Sequence, residues 1–432
     1  MTAADVSRRS FLQSTLSAAA LAAARPTFGA LNANDRIRVG VIGTGGRGVS
    51  HINAMCHRKD VDIVAICDVD DSQLGRAAAA AEKGGHQPKR FKDFRQVIDL
   101  PDVDAVFITT CCHWHAIPAL AAMRAGKDVF LEKPAGHTIH ECRLIADVAG
   151  ETKRVVQIGT QQRSSPHWQN AIARIHDGQI GQVTAARAYN AWNLQEMGGK
   201  LGNPPDCDPP PGVDYDMWLG PAPKRPFNPA RFHFGFYFFF DYSSGMTNAW
   251  GVHLFDVVQW ALGPTIRSAA ASGGIYVLKD ARDTPDTLEA VFDCGDYTMH
   301  YSLSHTNGWR RFGDMDHGIE FVGTEGVLQI NRRGFNMFKE DARARREPYY
   351  SEKVVGDATV QHQANFFDCM RSRAQTTADA QAGYHAATAG YLALIAYRLG
   401  RSVRWDAEAA TIPGDAEAAR MLTKEYRDPW HL

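Results

Sequence analysis

The chain has 432 residues, 44% of them hydrophobic and 22% charged, with a formal net charge of -1. That length accommodates more than one core, and the charge balance excludes the basic footprint of a nucleic-acid or anionic-membrane binder. No run of about twenty apolar residues occurs, so no membrane span is expected, and a small uncharged or mildly polar ligand suits the composition.

At the N-terminus, "SRRSFLQ" (7–13) places Arg8 and Arg9 before an alanine-rich stretch. Paired arginines, a weakly apolar core and small residues predict a twin-arginine secretion signal over 1–30, with periplasmic or other export and the translocase as a transient partner. That pathway carries folded proteins, so a cofactor can travel inside.

From 37 onward short apolar runs alternate with amphipathic stretches. "IRVGVI" (37–42), "VDIVAICD" (61–68), "DAVFITT" (104–110), "DVFLE" (128–132) and "RVVQIG" (154–159) read as strands, with helices between them. This alternation predicts a Rossmann-type, doubly wound parallel sheet over 31–160. Past about 160 the character changes. A helix "PHWQNAIARIHDG" leads to a strand "GQVTAARAYNAW" and a proline-rich loop "GNPPDCDPPPGVD" (202–214). Strands at 287–293, 297–304 and 319–322 then follow one another, with "GTEG" as a turn. An α+β domain with an open, mainly antiparallel sheet is expected over 161–432. Its late helices, 361–371 and 381–399, are free to pack back on the first domain.

"GTGGRG" puts glycines at 43, 45 and 48 between the first strand and its helix. The first permits the turn, the second lets a pyrophosphate reach the backbone, and the third lets helix and sheet pack closely. Gly43, Thr44, Gly45, Gly46, Arg47 and Gly48 are therefore expected to bind a dinucleotide. Asp68 closes the second strand, where a carboxylate accepts hydrogen bonds from ribose hydroxyls and repels a 2′-phosphate. With Asp70 beside it, NAD is expected over NADP. The eight cysteines show neither CxxC nor Cys/His ligand spacing, so no metal site is expected and they read as packing thiols.

"EKP" (132–134) follows a strand at its carboxyl end, where open α/β sheets bind ligands. "RFHFGFYFFFDYSSG" (231–245) reads either as core or subunit interface, or as an aromatic platform for a sugar ring. In the second reading Asp241, Tyr242 or His233 binds hydroxyls, and Trp192 could serve similarly.

Together "VGVIGTGGRG", "CDVD", "DAVFITTCCHWHAIPALAAMRAGKDVFLEKP", "GTQQRSSP" and "WGVHLFDVVQWALG" resemble the Gfo/Idh/MocA oxidoreductases over nearly the whole chain past the signal. Export of a folded protein leads us to expect tightly bound NAD, and the resemblance implies catalysis by Lys133 and His253. It implies cofactor contacts from Thr110, His115, Glu132, Lys133, Gln161 and Arg163, and substrate contacts from Lys133, Arg163 and His253. A carbohydrate substrate and a homo-oligomer are expected. Many relatives carry Asp four residues before the histidine; here Ala249 stands there. The expected function is oxidation of a secondary hydroxyl of a sugar or glycoside, with redox-neutral glycoside hydrolysis as the alternative. A catalytically silent sugar receptor is a third reading.

Overall fold

The structure, a computed structural model, describes residues 36–194, 201–312, 315–341 and 347–432, and every count below is of those residues. The expected secretion signal lies outside them.

The first domain is a six-stranded sheet in the order β3-β2-β1-β4-β5-β6, every neighbouring pair parallel. The strands are β1 (Ile37–Ile42), β2 (Val61–Cys67), β3 (Lys89–Phe91), β4 (Ala105–Ile108), β5 (Asp128–Leu131) and β6 (Val156–Ile158). Both faces of β4 and β5 are buried, which is why they read as unbroken apolar runs rather than alternating ones. Helices Gly46–Met55, Asp71–Lys83, Ala116–Arg124 and Ile139–Thr152 pack on the two faces. The Asp70 carboxylate starts the second by accepting from the Ser72 N–H, and the Thr138 hydroxyl starts the last by accepting from the Glu141 N–H. Strand order reverses between β1 and β4, leaving a crevice at their carboxyl ends.

Sequence reasoning passed over β3, a three-residue edge strand, so "EKP" follows the fifth strand rather than the fourth. Three half-exposed residues carry no periodic signal.

The second sheet has nine strands in the order β14-β13-β12-β11-β7-β10-β9-β8-β15. They are β7 (Val183–Ala191), β8 (Ser268–Gly274), β9 (Thr287–Asp293), β10 (Thr298–Ser304), β11 (His317–Gly323), β12 (Gly326–Asn331), β13 (Gly334–Lys339), β14 (Tyr350–Lys353) and β15 (Val403–Arg404). Only the β7–β10 pair is parallel. β8, "SAAASGG", went unread because small residues carry no β-branched pattern. Helix Val252–Leu262 covers this sheet, with Phe255 against Phe292 and Tyr301.

Two late segments tie the halves together. Helix Ala380–Leu399 packs on both Ile139–Thr152 and Val252–Leu262. Helix Ala358–Ser372 lies against Gly46–Met55, where Gln363 donates to the His51 ring and carbonyl. The proline-rich loop docks on the first domain too: Gly212 O accepts from the Asp71 N–H and from Lys92.

Candidate functional site

The crevice at the carboxyl ends of β1 and β4 is a cavity of about 580 Å³. Its floor is the glycine-rich turn. Gly43 has φ +86°, and a Cβ there would lie 2.6 Å from the Thr110 backbone nitrogen. A Cβ on Gly48 would meet Gly43 O at 2.3 Å, so the helix approaches the turn as closely as backbone permits. Around Gly45 and Gly46 a Cβ would touch nothing within 4 Å, and both line the cavity. An open glycine face at the start of a ten-residue helix fits a pyrophosphate group.

Asp68 is turned inward. It accepts from the Thr44 N–H (2.6 Å) and hydroxyl (3.1 Å) and from the Asp70 N–H (3.0 Å). Its first task is to pin the turn, while it also lines the cavity with Asp70. Burial raises its carboxyl above the ordinary range, opposed by those donors. Thr44 and Gly48 lie beneath the turn rather than in the cavity.

Glu132 is buried below Arg47. Its carboxylate takes Arg47 Nε at 2.6 Å, His51 Nε2 at 2.9 Å and the Lys133 N–H at 3.2 Å. Arg47 and His51 hold this carboxyl well below its usual range despite burial. Burial in turn lowers the His51 pKa, so the neutral ring donates from Nε2 and accepts Gln363 at Nδ1, 2.7 Å away. Glu132 therefore braces the turn from below instead of lining the cavity.

Lys133 leaves β5 toward the second domain. Its Nζ donates to Ala249 O at 2.9 Å and lies 5.4 Å from the Tyr237 ring centre, the wall of the cavity. Where relatives offer a carboxylate side chain, the backbone carbonyl of Ala249 orients the lysine. His253 begins the next helix, 3% exposed, its ring 5.3 Å from Trp250 and its Nδ1 without a partner among the described residues. Burial first, then the charges of Arg332 and Lys133, hold its pKa well below the usual histidine range. Burial also lowers Lys133, against the pull of Glu132. The pair is a neutral imidazole beside an amine made easier to deprotonate, a combination suited to taking a hydroxyl proton.

Other expected contacts fall elsewhere. Arg163 is clamped on fully buried Asp256 at 2.8 Å and lies over the Trp260 ring, an internal ion pair rather than a cavity contact. His115 is buried under the turn, Nδ1 2.7 Å from Pro134 O and Nε2 3.2 Å from Thr110 O. Burial lowers its pKa, so the neutral ring donates from Nδ1 to Pro134 O and holds the turn after Lys133, while Nε2 only packs beside Thr110, which does line the cavity. Gln161 is half-buried and outside the cavity lining. Tyr242 is fully buried against Trp218 and His113, and Asp241 pairs with Arg225; neither lines the cavity. The aromatic segment is mixed. Phe238 and Phe239 are core, whereas Phe232, His233, Phe234, Phe236 and Tyr237 wall the dinucleotide cavity instead of forming a platform apart from it. His233 meets Asp70 at 3.2 Å. Trp192 does reach the Lys133 end, edge-on to Trp250 at 5.5 Å and stacked on His305.

Two residues there escaped sequence reasoning. Trp250, three positions before His253, was readable from that spacing. Arg332, in a turn between β12 and β13, carries no motif and reads as a solvated arginine.

Comparison with known proteins agrees with this geometry. The model described as the oxidoreductase family, NAD-binding Rossmann fold, matches residues 37–160, and that of the family's C-terminal alpha/beta domain matches 180–273 and 347–432. A glycosyl hydrolase family 109 protein of Saccharopolyspora erythraea is 34% identical over 174 residues, covering 39% of this chain and 38% of its own. An inositol 2-dehydrogenase of Salmonella paratyphi B is 34% identical over 164 residues, 37% of this chain and 48% of its own. The chain thus matches less than half the length of these relatives. Among solved structures, a levoglucosan dehydrogenase in complex with NADH and L-sorbose superposes with TM-score 0.69 at 18% identity, over 86% of this chain and 99% of its own, a likeness of fold. With both domain models of one family matched in order over the greater part of its length, the chain belongs to the Gfo/Idh/MocA oxidoreductase family, with an NAD-binding Rossmann fold.

Proposed function

We propose that this protein oxidises a secondary hydroxyl of a sugar or glycoside with NAD. The observation that carries the reading is the placement of Lys133, whose Nζ is held by Ala249 O and lies 5.4 Å from the cavity-wall ring of Tyr237, with His253 four residues past Ala249 and within reach of its charge. Bound NAD supplies the hydride acceptor. The residues do the rest: the glycine turn and Arg47 hold the phosphates, and Lys133 orients the substrate hydroxyl. His253, neutral at pH 7, takes the hydroxyl proton as the carbinol carbon gives up its hydride, leaving a ketone.

Redox-neutral glycoside cleavage is a second reading, favoured by the family 109 relatives and by Ala249, which leaves His253 without a carboxylate to stabilise its charged form. Both readings begin with the same proton abstraction. Asp68 and Asp70 on the cavity support NAD over NADP, and the aromatic wall contributed by the second domain supports a cofactor retained between turnovers. Retention suits the proposed export through the twin-arginine pathway, since free NAD is scarce outside the cytoplasm.

The test is to denature the purified protein, identify the released nucleotide, and incubate the native protein with chromogenic glycosides and no acceptor. NAD(H) with one equivalent of oxidation, restarted by an added carbonyl acceptor, is expected. Sustained aglycone release without accumulating NADH moves the assignment to the hydrolase. No turnover of any glycoside refutes both.

A further inference from the structure

Arg332 occupies the tight turn between β12 and β13, and its guanidinium lies 4.7 Å from the Trp250 ring centre. Trp250 touches His253 and Trp192 with its edges and His317 at 4.5 Å, and its neighbour Ala249 holds Lys133. The arginine thus stands on the wall of the pole where Lys133 and His253 meet, and its charge is felt at both.

The local charge balance is cationic, unlike that of the whole chain. Arg47, Lys133 and Arg332 face this pole. Of the two carboxylates near them, Glu132 is paired with Arg47 and hydrogen-bonded to His51, and Asp316, hydrogen-bonded to a neutral His317 at 2.6 Å, attracts Arg332 without an ion pair. Arg332 has no hydrogen-bond or ion-pair partner among the described residues, only its contact with the Trp250 face. Burial and the Arg47 charge lower its pKa to about 10, which leaves it charged at neutral pH. A partly desolvated guanidinium with its donors unused is unfavourable until something supplies the counter-charge, and its planar fork matches a carboxylate with two parallel hydrogen bonds.

From this placement we infer that Arg332 receives a carboxylate of the substrate, so the site takes an acidic sugar, a uronic acid or uronide, in preference to its neutral counterpart. The inference rests on the sugar-oxidoreductase reading for the sugar and on Arg332 for the acid. The contact with Trp250 restrains the fork, and Trp192 and His317 pack against the same indole.

Calorimetry on the full, cofactor-loaded protein tests it, with methyl glucuronide and methyl galacturonide against the corresponding neutral methyl glycosides and a hexose phosphate. A uronide is expected to bind at least about tenfold more tightly than its neutral partner, since a hydrogen bond to a charged group carries that much. Added salt should weaken the preference, Arg332→Gln should abolish it, and Arg332→Lys should keep part of it. A neutral glycoside or the phosphate binding as tightly as the uronide to the wild type overturns the inference without any variant. So does a preference that survives in a folded Arg332→Gln protein, or failure of every sugar to bind. Nicotinamide absorbance and aglycone release, followed in parallel, separate the two readings. Turnover of neutral glycosides without uronide preference sinks only the role of Arg332. Uronide preference without any turnover sinks the oxidoreductase reading and leaves the carboxylate site standing.

Discussion

Replacing Glu132 by Gln tests the buried network that joins the cofactor turn to the late helix Ala358–Ser372. The substitution keeps shape but removes the charge that Arg47 Nε meets at 2.6 Å and that His51 donates to at 2.9 Å. Breaking one side of a buried ion pair costs about 3–5 kcal/mol. The Arg47 side chain is 31% exposed, and water relieves part of its lost pairing, which leaves about 2–3 kcal/mol. The pH dependence follows from the sign of the shift. Glu132 is held below its usual range in the folded protein. Its stabilisation is therefore complete above the unfolded value of about 4.3 and is lost as pH falls through the depressed folded value. Gln does not titrate, so the gap between wild type and variant should narrow by about 0.6 kcal/mol at pH 4 from protonation of the unfolded chain alone, and further below. Urea denaturation at a series of pH values measures the gap, and nucleotide per chain after purification reports on the turn. A gap below about 0.5 kcal/mol at pH 7, or one that is the same at pH 7 and pH 4, would refute the reasoning.

Lys133→Ala and His253→Ala should each lower turnover by about 10²-fold or more with cofactor occupancy retained, as steady-state rates and released nucleotide will show. Because burial holds the His253 pKa well below its usual range, wild-type rates should not fall as pH drops through the ordinary histidine value of about 6.5, and a rate profile that falls there would contradict its role as the base. Gly48→Ala should lose both stability and cofactor, since its Cβ would sit 2.3 Å from Gly43 O, whereas Gly45→Ala should melt normally and lose cofactor only. Equal behaviour of the two glycine variants in thermal melts and nucleotide content would contradict the open face at Gly45.

The first domain was legible in the sequence because its signals are local. A parallel strand buried on both faces announces itself as an apolar run, as in "AVFI" of β4. A turn that needs glycines for backbone contact announces itself as "GTGGRG". Lys133 and His253 were readable as well, the one after a strand, the other from a family resemblance. What the tertiary structure decided is every relation across long sequence separation. Asp68 spends one carboxylate oxygen on Thr44 of the turn and the other on the Asp70 N–H, and Glu132 braces Arg47 from below. Tyr242 is core although Phe232 and Tyr237 wall the cavity: it lies past the 3₁₀ segment His233–Phe238, and its packing against Trp218 and His113 decides that it is buried. Arg163 and Asp256 pair from different elements, and no spacing rule links them. Arg332 carries meaning only once β12 and β13 bring their turn to Trp250. An arginine's role is set by which charges surround it and how much water remains, and both are properties of the folded neighbourhood rather than of the chain.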